Sequence, residues 1–474
     1  MKRISKSRRA LLSAALSTFV PGLGVALVQK RRGWWALTGL SAGVALIAAA
    51  WIMTRTRTEL LRTVFDTRRL LVVGVALLIL GSLHAWSIVD AVAGFSWRRK
   101  WPSRLTAGML SASVIVVYAL GAGAAFSQRQ TIENVFHGPR NVQPVAAGPD
   151  SSAYETTDAP SATKPLLGRM TFLLLGGDAG KGRWSRRTDT MIVVSADLDS
   201  GAIAVVSVPR NLVGLPFPEG KLHDAYPHGF PGLANAVYVG VSARPDLVGN
   251  VPEPGIEALR IGISELLGWQ IDRYLLVDLD GFVNVVDALG GLDITVTSNV
   301  QPTGKLPGSE RQVGGFKKGE RIHLDGEQAL AYARSRTGTS DYARMRRQRC
   351  VVSQLFQNID PVSVLTHFVE LQQIAQNNVL TNVSTSEIPH LLDVVSLLQR
   401  SHPTSVVLAP PVIQPSSWDA DYVRALASQA WDKAVLKASG QVAAAPTTPP
   451  AQTSTPPRTT APPAIEDMDE ACSS

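Results

Sequence analysis

The sequence predicts a three-layer α-β-α domain carried on an N-terminal helical transmembrane region. Three long apolar runs fall in the first 126 residues, each near the ~20 residues needed to span a bilayer. Between residues 165 and 440, short continuous apolar strands alternate with amphipathic helical stretches. Strands of that type are buried on both faces and imply helices on each side of a sheet. A Pro/Thr-rich tail follows, too poor in large apolar groups to offset the entropy of ordering.

Charge supports this division. The chain of 474 residues carries a net charge of +8, but residues 1–126 hold 17 basic against three acidic side chains, leaving 29 basic against 35 acidic in the rest. The basic groups therefore flank the apolar runs, which is a membrane pattern. The expected spans are residues 34–53, 70–95 and 105–126. Run 10–28 is ambiguous, because it contains Pro21, Gly22 and Gly24. If it does not cross, twelve basic residues lie inside against five outside; if it does, the split is ten to seven. Three spans and an extracytoplasmic C-terminal region are the expectation. Residues 127–164 read as a linker, 165–440 as the folded domain and 441–474 as a disordered tail.

Within the domain, strands are expected at residues 170–175, 190–196, 202–208, 274–278 and 292–297. Helices are expected at 255–267 and 282–288, the latter stopped by Gly290 and Gly291. Asp325 with Gln328 predicts a capping box for a helix over 326–334. Asp341 is expected to cap a second helix running to about residue 359.

No nucleotide loop, nucleophile elbow or zinc-helix motif occurs; Gly176–Gly182 fails the P-loop spacing. Asp178 and Asp189 flank a loop between two strands. Together they suit Mg2+, which takes one or two carboxylates plus phosphate oxygens. The plainer reading is that both only shape turns. Six arginines, Arg334, Arg336, Arg344, Arg346, Arg347 and Arg349, fall within sixteen residues. Arg344 and Arg347 share a helix face, where a bound anion would relieve repulsion. The plainer reading is a solvated basic face. Extracytoplasmic placement and the lack of interleaved aromatics point away from nucleic acid. The combination describes an enzyme or binder for a diphosphate near a bilayer.

In order along the chain, Phe172–Asp178, Arg187–Ile192, Ser207–Arg210, Lys221–Tyr226, Val277–Phe282, Val286–Asp293 and Leu324–Arg336 followed by Asp341 and Arg344–Gln348 resemble the motifs of the LytR–CpsA–Psr family of cell-wall ligases. The resemblance implies transfer of a glycopolymer from a polyprenyl-diphosphate carrier to peptidoglycan, with formation of a phosphodiester. It also implies that Asp178 and Asp189 hold Mg2+ or orient the head group. Arg210, Arg334, Arg336, Arg344 and Arg347 would grip the diphosphate, and an apolar pocket beneath the sheet would take the prenyl chain. Asp178, Asp189, Arg210 and Arg336 are the expected catalytic residues. Arg349 is off the pattern and expected to matter little to the donor. Asp189→Asn is expected to weaken metal-dependent activity and leave fold stability little changed or higher, by relief of carboxylate repulsion. The chain departs from the pattern at Asn211, where Asp is usual, and at His223, where Asn is usual, which leaves the general base open. The tail and three-span N-terminus resemble the actinobacterial type, for which arabinogalactan is the implied polymer. A non-catalytic binder of lipid-linked precursors and a lipid-diphosphate pyrophosphatase are the competing readings. Cys350 is expected to be a small buried hydrophobe and Cys472 a free thiol; the alternative is a bond between them that folds the tail back.

Overall fold

The computed structural model describes residues 6–30, 33–55, 59, 66–96, 101–135, 168–178, 187–249, 251–296, 298–301, 304–305, 312–335, 340–359, 367–384, 387–440 and 465–468. Two compact units result, Met1–Asn134 and Val135–Ser474.

The first unit is helical: α1 (Lys6–Phe19), α2 (Leu23–Val28), α3 (Trp34–Thr54), α4 (Thr67–Ser96) and α5 (Trp101–Val135). The ambiguous run divides into α1 and α2, because Gly22 takes a left-handed conformation at φ 78°. Neither piece approaches the ~20 residues of a span. Gly24 has no room for a side chain, since a Cβ would sit 1.8 Å from the Ser13 carbonyl, and this allows α2 to fold back on α1. Among the described residues, Thr67–Ala91 and Leu105–Glu133 are long and apolar enough to cross a membrane.

The second unit is built on a seven-stranded sheet of order β11-β10-β3-β2-β1-β4-β9. Its strands are β1 (Arg169–Gly177), β2 (Thr188–Asp197), β3 (Ile203–Ser207), β4 (Arg273–Val277), β9 (Val379–Thr381), β10 (Thr404–Val407) and β11 (Ile465–Asp467). The sheet is mixed: β1 pairs antiparallel with β2 and parallel with β4, and β3 pairs antiparallel with β2 and parallel with β10. Alternation along the strands divides the apolar side chains between two faces. Leu173, Leu175, Val193 and Val206 pack with Ile256, Leu259 and Ile263 of α8 (Pro254–Leu267) and with Leu426 and Ala430 of α14 (Ala420–Ala438). Phe172, Ile192, Val194 and Val205 pack with Val352 and Phe356 of α11 (Asp341–Asn358) and with Val394 and Leu398 of α13 (Ile388–Arg400). Helices therefore cover both faces, giving the expected three layers.

Local signals appear where the sequence places them. Asp325 and Gln328 form a reciprocal capping box on α10 (Gly326–Arg334). Gly290 and Gly291, at φ 86° and 88°, end α9 (Leu279–Ala288). Helix α11 starts as expected but is capped by Ser340, whose hydroxyl accepts from the Ala343 amide at 3.1 Å, rather than by Asp341. The strand expected at 292–297 spans Leu292–Thr295 (β5) and lies outside the main sheet, paired with β8 (Arg321–Leu324) in a separate ribbon. The expectation of a tail without structure fails at its end. Ile465–Asp467 returns as an edge strand on β10, and Met468 is buried in the core. Cys350, in α11, is disulfide-bonded, and no cysteine is free among the described residues. Cys350 is buried as expected but not unpaired, which corrects that part of the plainer expectation; Cys472, the only other cysteine in the sequence, lies outside the described residues.

Candidate functional site

The ladder between β1 and β2 contains one irregularity. Gly176 pairs with Thr190 and Gly177 with Thr188, so Asp189 is the extra residue of a bulge. A bulge re-aims the side chain of the unpaired residue. Here the Asp189 carboxylate meets the turn that follows β3. Arg210 Nη1 donates to Asp189 Oδ1 at 3.0 Å, and Asn235 Nδ2 donates to the same oxygen at 3.2 Å. The turn is fastened by the Asn235 amide, which donates to the Arg210 carbonyl at 3.1 Å. Asn235 is a site residue that the motifs did not single out; its approach depends on a loop returning from a distance of 46 residues in sequence.

Burial alone would raise the Asp189 pKa. The hydrogen bond and charge of Arg210, with Asn235 and the charge of Arg344, outweigh it and hold the carboxyl below its ordinary value. Asp189 is therefore an anion matched to arginines, and a poor proton acceptor.

Asp178 lies at the other side of the same hairpin end. Its amide donates to the Arg187 carbonyl at 2.9 Å and its Oδ1 accepts from the Arg187 amide at 2.6 Å. The carboxylate thus ties Asp178 to Arg187; residues 179–186 lie outside the described residues.

A small cleft opens beside Asp189, lined also by Thr190, Ser207, Arg210, Met345 and Gln348. The Ser207 hydroxyl is buried and finds no hydrogen-bond partner among the described residues. Arg344, on α11, is 3% exposed and lies close enough to Asp189 to lower its pKa. Asp189 and Arg210 are in direct contact, and Arg344 lies near enough for its charge to act on Asp189. Arg334 ends α10 and is half-buried, whereas Arg336 lies outside the described residues.

Arg347 has a different position from the one expected. It is 1% exposed, its Nε donates to the Tyr332 carbonyl at 2.9 Å, and its Nη2 donates to the Ser335 carbonyl. These carbonyls belong to the C-terminal end of α10, where helices leave acceptors unsatisfied. Arg347 acts as a clamp between two helices. Arg349, also 1% exposed, donates from Nη1 to Ser405 Oγ at 2.7 Å and pairs with Glu466 of β11 at 3.5 Å. It pins the terminal strand to α11. Of the two family departures, Asn211 follows Arg210 in the turn, and His223 has its Nδ1 3.2 Å from the Phe217 carbonyl, so that nitrogen carries the proton.

Among the described residues, no group of three or more His, Cys, Asp or Glu side chains is placed to hold a metal. The protein donors are two carboxylates at one hairpin end. That set fits Mg2+ completed by substrate phosphate and water, and does not fit an all-protein cage.

The fold and these side chains can be set beside known proteins. A 30% identical match over 208 residues is the polyisoprenyl-teichoic acid–peptidoglycan teichoic acid transferase TagV of Bacillus subtilis, covering 42% of this chain and 46% of that protein. TagU of Oceanobacillus iheyensis, a transferase of the same name class, is 28% identical over 302 residues, covering 62% of this chain and 81% of that protein. Biofilm regulatory protein A of Streptococcus mutans is 26% identical over 231 residues, with 47% and 52% covered. The chain thus spans about half the length of two of these relatives. The crystal structure of Bacillus subtilis TagV superposes with a TM-score of 0.40 at 22% identity, over 58% of this chain and 98% of that one. The LytR_cpsA_psr family profile matches residues 149–418, more than half of the sequence, and the chain belongs to that family.

Proposed function

We propose that this chain is a phosphotransferase that moves a glycopolymer from a polyprenyl-diphosphate carrier onto peptidoglycan. The observation that carries the reading is the cleft where Asp189, Arg210 and the buried Ser207 hydroxyl, without a partner among the described residues, converge, with Arg344 close by. Guanidinium groups and a hydroxyl donor suit phosphate oxygens, and phosphoryl transfer needs positioning and charge neutralisation more than a covalent nucleophile. Relatives named as teichoic acid transferases support the same reaction class.

In this reaction a hydroxyl oxygen of the acceptor forms a bond to the glycan-side phosphorus. The bridging P–O–P bond breaks, polyprenyl monophosphate leaves, and the acceptor proton passes to that leaving phosphate or to solvent. Arg210 and Arg344 are the described groups assigned to the diphosphate charge, with Arg334 and Arg336 in support. Arg347 serves by holding α10 to α11. Asp178 and Asp189 would hold Mg2+, which supplies charge neutralisation at the diphosphate. The long apolar run of α4 and α5, with α3, would tether the domain to the outer face of the cell membrane. Arabinogalactan is the proposed polymer.

The test is an assay with lipid-linked donor, peptidoglycan acceptor and Mg2+. Polymer on peptidoglycan is the expected result. Soluble glycopolymer phosphate and polyprenyl monophosphate without attachment would make the protein a pyrophosphatase, and binding without turnover would make it a scaffold.

A further inference from the structure

Helix α11 presents two faces to two clefts. Met345 and Gln348 line the cleft with Asp189 and Arg210. Tyr342, Arg346 and Arg349, spaced i, i+4 and i+7 and so on one face, line a second cleft with Ser405, Pro411 and Glu466. The two clefts are adjacent. Ser207 borders the first, Val407 borders the second, and these residues are register partners on the parallel strands β3 and β10. Neighbouring strands lie about 4.8 Å apart.

The second cleft is built for an anion. Arg349 is 1% exposed and lines it, yet its Nε finds no hydrogen-bond acceptor among the described residues. A buried donor without an acceptor is costly. Glu466 offers one carboxylate, at 3.5 Å from Nη2, against two guanidinium groups, since Arg346 stands exposed at the rim. Tyr342 adds a half-buried aromatic ring of the kind that packs against sugar rings.

We infer that this second cleft is the acceptor subsite, taking a glycopeptide that carries a free carboxylate, with Arg346 and Arg349 on the anion and Tyr342 against the sugar. The inference rests on the donor reading above, because a reacting hydroxyl has to reach the phosphorus from an adjoining position.

The experiment uses the full chain and two soluble muropeptides, one with free carboxylates and one with the same groups amidated. Calorimetry reads muropeptide binding directly, without any need for turnover. Arg346→Ala is the test variant, because an exposed helix position can be changed without disturbing the fold, and Tyr342→Ala is the second. Arg346→Ala should weaken binding of the carboxylate form about tenfold, as expected for loss of one charge-assisted contact. It should leave the amidated form and the affinity for lipid-linked donor unchanged. Tyr342→Ala should weaken both muropeptides. Equal binding by wild type and both variants would overturn the subsite. A matching loss of donor affinity in Arg346→Ala would also overturn it, by assigning the cleft to the donor. Failure of the donor reading alone would appear differently, as muropeptide binding that depends on Arg346 in a protein that transfers nothing.

Discussion

Arg210 Nη1 donates to Asp189 Oδ1 at 3.0 Å, joining the bulge of β2 to the turn after β3. The contact reverses one expectation from the sequence. Two nearby carboxylates would repel, and Asp189→Asn would then cost nothing in stability. Asp189 instead faces a guanidinium, so neutralising it leaves Arg210 without its partner. With side chains 18% and 24% exposed, the pair is partly screened, and Asp189→Asn should destabilise by about 1 kcal/mol at neutral pH. The pH dependence follows from the lowered pKa of Asp189. A depressed carboxyl stabilises the fold above its ordinary value of about 4, and this contribution is lost as pH falls through the folded value. Denaturant melts of both proteins should show the gap closing below about pH 4. A gap that persists unchanged into acid would rule out the ion pair as its source.

Arg347→Ala should act on the fold before it acts on the substrate. The side chain donates to the carbonyls of Tyr332 and Ser335 from a buried position. Losing two charge-assisted bonds and leaving buried carbonyls unmatched costs about 2–4 kcal/mol. Thermal unfolding should shift down by several degrees, on the order of 2–4 °C per kcal/mol for a domain this size. Arg347→Lys should rescue little, because one ammonium cannot reproduce the fork. An unchanged Tm with lost donor affinity would restore Arg347 to the diphosphate grip.

The terminal strand is expected to be held covalently. Cys350 is disulfide-bonded and Arg349 pairs with Glu466. Non-reducing peptide mapping should yield a linked peptide containing Cys350 and Cys472. Cys472→Ser should lower stability by about 2–4 kcal/mol, since the link closes a long loop. A free Cys350 thiol in protein from an oxidising compartment would contradict the structure.

Arg336→Ala should reduce donor affinity or turnover by one to two orders of magnitude, the equivalent of about 1.5–3 kcal/mol for a charge-assisted bond. Arg349→Ala should instead lower thermal stability, because its guanidinium is buried against Ser405 and Glu466. Chelator should abolish transfer if Asp178 and Asp189 hold Mg2+, and full activity in chelator would exclude that role.

Features that depend on neighbours in the chain are legible in the order of the residues. The capping box of Asp325 and Gln328, the glycine stop at Gly290 and Gly291, and the apolar strands 170–175 and 190–196 are local patterns, and they appear within a few residues of their predicted bounds. Asp189, Arg210 and Arg344 could likewise be named from ordered motifs. How those residues are used follows from long-range packing. Bulge placement depends on strand register, so Asp189 could be named but not aimed. Asn235 reaches the site through a loop whose path no local pattern encodes. Arg344, Arg346, Arg347 and Arg349 look alike in sequence, yet helix docking sends them to the vicinity of Asp189, the second cleft, the helix clamp and the terminal strand. The return of residues 465–467 to the sheet edge had the same cause. Pairing with β10, burial of Met468 and contact with Arg349 are long-range interactions, and together they outweigh a composition that favours disorder.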